Sequence, residues 1–168
     1  MNYQTLTLSI FISTLIAGCA TQPTSTSQMQ AAKQRDVHVF KPIKFNYDPK
    51  LPEASNFSRQ LGIPAFQCEL EATTGSTAVR YRNSQMTAEY SESLMACFKH
   101  SRMQGDEAVA RLKAAKIPAK QAELSKDLYA KWSAYMMTLS PYSNTDLRAK
   151  SEYKAAEQAL STEIKFSE

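Results

Sequence analysis

Apolar side chains recur at helical spacing through most of the chain after residue 50. Met86, Tyr90, Leu94, Cys97 and Phe98 form one stripe and predict a helix from about Thr77 to Arg102. Leu124, Leu128, Trp132, Tyr135 and Leu139 form a second, which predicts a helix from Pro118 to Leu139, stopped by Ser140-Pro141. Ala149, Tyr153, Ala156, Leu160 and Ile164 form the last, with Ser143 and Asp146 spaced like a capping box ahead of it. Shorter pieces are bracketed by proline at the start and glycine at the end: Pro52 to Leu61 before Gly62, and Pro64 onward before Gly75. After Gly105, Asp106 is placed to cap a piece carrying Val109, Leu112 and Ala115. The pattern predicts an all-α fold, a small antiparallel helical bundle of three long helices and two or three short ones.

Upstream the pattern changes twice. In Val37 to Pro49 apolar and polar residues partly alternate, and two prolines disfavour helix, so an extended N-terminal arm strapped along the helices is expected. Ala20 to Asp36 is polar, with Met29 as its only large apolar side chain, and reads as a flexible tether. At the N-terminus, Leu6 to Ile16 is an apolar run of signal-peptide length, well short of the ~20 residues needed to span a bilayer.

That run ends in Ile16, Ala17, Gly18 and Cys19, which resemble the lipobox of bacterial lipoprotein precursors, although Met1 to Leu6 lacks the usual basic residue. The resemblance covers the first 19 residues. It implies cleavage before Cys19, a diacylglyceryl thioether on its sulfur, and an acyl chain such as palmitate on the new amino terminus. Two or more chains give stable anchoring, at ~0.8 kcal/mol per buried methylene. Ala20 stands where inner-membrane lipoproteins of enteric bacteria carry Asp, so the resemblance implies the outer membrane, with the domain facing the periplasm. The expected organisation is a signal peptide at 1–18, an acylated cysteine and tether at 19–36, and a helical domain at 37–168.

Composition narrows the chemistry. The formal net charge of +4 is spread along the chain, so no nucleic-acid footprint is expected. Four scattered glycines supply neither a phosphate loop nor a dinucleotide fingerprint. With Cys19 acylated, Cys68 and Cys97 remain, and an exported compartment is oxidising, so a disulfide between them is expected. One unbroken helix would hold them about 44 Å apart, so the bond requires a chain reversal, expected at Thr73-Thr74-Gly75-Ser76.

Candidate catalytic groups are sparse. His38 and His100 are the only histidines; a Cys97–His100 pair supplies two ligands where zinc wants three or four, so no metal and no cofactor are expected. Glu69 and Glu71 point about 200° apart on a helix, and Glu89 with Glu92 reads as a solvated face. Ser151 and Lys154 have Ser-x-x-Lys spacing without the companion motifs of penicillin-binding enzymes.

A non-enzymatic function is expected: a lipid-anchored envelope protein whose helical domain binds a partner protein, as an accessory or assembly factor. The layout is similar to that of the pilotins of secretion systems, without a shared motif beyond the lipobox. Met86, Tyr90, Leu94, Trp132 and Met136 are the candidate partner groove, since methionine thioethers adapt to varied apolar ligands. The alternatives are a hydrolase of envelope polymers, an inhibitor of one, and a passive structural lipoprotein.

Overall fold

A computed structural model describes residues 36–167. The signal peptide, Cys19 and all of the tether but Asp36 lie outside the described residues. Within them the chain is helical: α1 (Glu53–Arg80), α2 (Ser84–Ala114), α3 (Ala119–Thr138) and α4 (Leu147–Ser167) follow an irregular strap at 36–52. None of these helices is long and apolar enough to cross a membrane.

The helices form two antiparallel pairs, α1 with α2 and α3 with α4, and α1 also packs on α3 and α4. It is the central helix, with Phe57, Leu61, Ala65 and Cys68 buried against the other three. From α3 and α4, Leu128, Tyr135, Tyr153 and Leu160 complete the core, and the two tyrosine rings stack at 5.6 Å. The stripes read from the sequence on α3 and α4 are the buried faces, with Leu124 and Ala149 at their edges.

The segmentation of the first half is corrected. Gly62, Pro64 and Gly75 interrupt nothing: α1 is one helix of 28 residues that runs through all three. Pro64 forfeits one helical hydrogen bond, an interior penalty of ~3 kcal/mol, but its ring is fully buried in the core and the helix is held there by its packing. Gly105 does not end a helix either; it lies inside α2, and Asp106 is a mid-helix residue rather than a cap.

Gly75 and Gly105 are points of close approach. A Cβ at Gly75 would stand 2.8 Å from the Pro141 Cβ, and one at Gly105 would stand 3.0 Å from the Trp132 ring. They are small because neighbouring elements lie against them, so the residue type that usually marks a turn here marks a contact.

The true reversal is at Tyr81–Asn83. The Asn83 N–H donates to the Ala78 carbonyl and the Arg82 N–H to that of Val79, a Schellman closure of α1. It requires a left-handed residue, and Arg82 takes it at φ 54° where glycine is usual. Asn83 then caps α2, its side chain accepting the Met86 N–H at 3.0 Å. Here the expected capping box is also corrected: Asp146 itself caps α4, accepting the N–H groups of Arg148 and Ala149, while Ser143 is exposed.

With the turn at 81–83, Cys68 and Cys97 meet across α1 and α2 and form the disulfide, with Cα atoms 5.6 Å apart.

The extended arm is a strap held on the α1 and α2 side chains. Two buried amides of α1 each grip a strap segment. Gln67 accepts the Ile43 N–H and donates to the Lys41 carbonyl, both at 3.0 Å. Asn56 accepts the Asp48 N–H at 3.1 Å and donates to its carbonyl at 2.7 Å. Farther along, the Arg111 guanidinium lies between the Phe45 and Tyr47 rings, 5.4 Å from each centroid, and pairs with Glu107 at 2.8 Å.

Candidate functional site

Beneath the start of the strap lies the densest group of potentially reactive side chains. His38 Nε2 is 2.8 Å from a Glu71 carboxylate oxygen and 3.2 Å from Ser93 Oγ, its backbone N–H donates to Glu89, and its ring stacks on Tyr90 at 4.2 Å. The residue types are those of a serine-hydrolase triad, but the connectivity is not. A triad needs the carboxylate on one ring nitrogen and the serine on the other, so that the second nitrogen is free to take the hydroxyl proton. In this protein both partners converge on Nε2, and a single nitrogen cannot at once donate to the Glu71 carboxylate and accept the Ser93 proton. Ser93, Glu71 and Glu89 are all buried, and the arrangement anchors the strap. Glu89 is thus corrected from a solvated surface residue to a buried acceptor, while Glu92 is exposed.

The other sequence candidates are separated by the fold. Glu69 pairs with Lys150 of α4 while Glu71 pairs with His38, on different sides of α1. Cys97 is consumed by the disulfide, and His100 lies against the Phe40 ring, 6.0 Å between centroids. Ser151 is exposed, and Lys154 pairs with Glu157. Among the described residues no group of three or more His, Cys, Asp or Glu side chains is placed to hold a metal ion.

What the helices leave open is a cleft between α2 and α3. These two helices are bridged chiefly by α3 aromatics: Trp132 rests on Gly105, and Tyr129 donates to Asp106 at 3.4 Å. Burial, and then the Asp106 carboxylate, push the Tyr129 hydroxyl above its ordinary pKa, so it stays a donor. The Tyr129–Trp132 pair, 5.4 Å between centroids, divides the cleft into two pockets.

One pocket, of about 620 Å³, is lined by Trp132 and Met136 together with Met95, Phe98, Met103 and Met137. Three of its methionines are highly exposed, Met95 at 66%, Met103 at 61% and Met137 at 85%. The other, of about 700 Å³, lies toward the α2–α3 loop among Phe57, Val109, Leu112, Ile117 and Ala122. A smaller crevice of about 360 Å³ separates α1 from α4, with Phe66 and Leu70 exposed at its edge.

Of the five residues expected to line a groove, Trp132 and Met136 do so. Leu94 is 3% exposed and belongs to the core, Tyr90 is covered by His38, and Met86 is half-buried near the start of α2. Met95, Met103 and Met137 occupy the places those three were expected to fill. The stripe on α2 was drawn through its apolar residues alone, and its buried face is partly polar, with Glu89, Ser93 and Ser101 inside. No protein-family model matches the chain, and neither does any curated protein or solved structure.

Proposed function

We propose that this is a lipid-anchored protein of the bacterial envelope, held in the outer membrane through acylated Cys19, whose helical domain receives a partner protein in the methionine-lined part of the α2–α3 cleft. It acts as an accessory or assembly factor rather than as an enzyme. The carrying observation is the open apolar pocket in which Met95, Met103 and Met137 surround the buried Trp132 and Met136. Such a surface favours apolar anchors of a partner helix or extended peptide, and thioethers tolerate variation in their shape. The lipobox-like Ile16-Ala17-Gly18-Cys19 supports the location.

The test has two readouts. Intact mass of the membrane-purified protein is expected to lack residues 1–18 and to carry acyl chains; a full-length, unacylated mass would remove the anchor from the reading. A photo-crosslinking side chain at Met95 is expected to trap a discrete envelope partner in cells. The Met103→Asp, Met137→Asp double variant loses that adduct while keeping its helical circular dichroism. An unchanged set of adducts would exclude the cleft.

A further inference from the structure

The geometry points to the loop-side pocket of the cleft as a binding site for a single-chain amphiphile with an anionic head group. This inference is independent of partner binding in the methionine-lined pocket. At about 700 Å³ the cavity falls within the size range of small-molecule sites, ~300–1,000 Å³. Its walls are hydrocarbon, from Phe57 of α1, Val109 and Leu112 of α2, and Ile117 and Ala122 at the start of α3. Ser125 lies behind this wall, fully buried, so the accessible lining between these side chains is apolar.

Charge selects the head group. Lys113 and Lys126 line this pocket, and Lys116 lies on the loop between their helices. None of the three forms an ion pair among the described residues, whereas the neighbouring Lys120 and Lys131 are paired with Glu123 and Asp127. The N-terminus of α3 adds to the same field: Pro118 at its N-cap position makes no side-chain hydrogen bond, and the first turn carries no acid. Asp106, the one carboxylate lining the pocket, accepts from Tyr129. An acyl chain suits these walls better than an acidic peptide, because a peptide would bring a polar group at every residue against Phe57, Val109, Leu112 and Ile117, whose side chains offer no hydrogen-bond partner. A carboxylate and a phosphate head group share the required chemistry.

The full chain in zwitterionic nanodiscs, titrated with dansyl-undecanoic acid against protein-free discs, tests the site. Saturable fluorescence enhancement is expected. Laurate or lysophosphatidylglycerol should displace the probe at concentrations at least about tenfold below those needed with lauryl alcohol. Whichever of the two is the more potent identifies the head group as carboxylate or phosphate. Lys113→Glu with Lys126→Glu, both exposed positions, should raise the Kd about tenfold or more. Ala122→Phe should abolish binding by filling the cavity, and Met137→Asp should leave it unchanged. Non-saturable binding, equal displacement by the alcohol, an unaltered Kd in the lysine variant, or loss on Met137→Asp would each overturn the assignment.

Discussion

Cys68 and Cys97 lie at equal chain distance from the Arg82–Asn83 turn, and their Cα atoms are 5.6 Å apart across α1 and α2. In an antiparallel pair closed by a tight turn, residues equidistant from the turn face one another, so the disulfide and the reversal specify the same register. Closing this loop is worth about 3–4 kcal/mol on the chain-entropy account. Cys68→Ala with Cys97→Ala should lose about that much in urea unfolding of the oxidised protein, and reductant should lower the wild type to the same level without affecting the variant. A double variant as stable as the oxidised wild type would show that the α1–α2 packing sets the register unaided.

The glycines give opposite expectations for one substitution. Alanine in a helix interior is favoured over glycine by about 1 kcal/mol. At Gly62 the added Cβ would meet Glu157 and Tyr153 at 3.6 and 3.8 Å, ordinary contacts, so Gly62→Ala should stabilise by about 0.5–1 kcal/mol. At Gly75 it would meet Pro141 at 2.8 Å and Tyr90 at 3.1 Å, and overpacking of about 1–3 kcal/mol should outweigh the gain. Thermal melts of the two variants should therefore move in opposite directions; parallel shifts would mean that the loop at Pro141 yields freely.

The contrast between these positions shows what the sequence made legible. The faces of α3 and α4 were readable because their buried residues are apolar and regularly spaced, from Leu128 to Leu139 and from Tyr153 to Ile164. The all-helical class followed from that periodicity. The first half resisted because glycine and proline act through their neighbours as well as locally. Gly75 reads as a stop until Pro141 is known to lie on it, and Arg82 gives no residue-type signal for the left-handed turn it makes. The cysteine pairing held the missing information: with Cys68 and Cys97 bonded, a symmetric hairpin places its own midpoint between residues 82 and 83. The cleft was half legible. Trp132 and Met136 are apolar wherever they face, but which stripe of α2 they meet depends on the strap, whose His38, Gln67 and Asn56 contacts claim the polar side of α1 and α2.

Glu69 on α1 carries a pH dependence. Burial works to raise its carboxyl pKa, but the Lys150 ammonium and the Tyr135 hydroxyl outweigh burial and hold it below its ordinary 4.5. The unfolded chain therefore takes up this proton at a higher pH than the folded one. The contribution of the pair is complete above the unfolded value and is lost as pH falls through the lower folded value. Lys150→Gln should be less stable than wild type at neutral pH, with the gap narrowing as pH drops below about 4.5. Paired melts across that range check it, and a gap independent of pH would assign the Lys150 effect to packing.

The strap depends on Gln67 in a way that shape alone does not supply. This side chain is 8% exposed and satisfies both the Ile43 N–H and the Lys41 carbonyl. Gln67→Leu keeps comparable volume but leaves both backbone groups without their partner, a loss of about 1–3 kcal/mol for each group that remains buried. Those groups recover hydration if the segment lifts, so the variant should unfold locally before it unfolds globally. Trypsin cleavage after the exposed Lys44 should accelerate about tenfold or more, since 1.4 kcal/mol of local opening is one decade in population, while the melt of the helical core shifts little. His38→Ala should act in the same direction from the other end of the strap, by freeing Glu71 and Ser93. Cleavage after Lys44 at the wild-type rate in both variants would show that Phe40 and Phe45 hold the strap by apolar contact and that its polar clamps are dispensable.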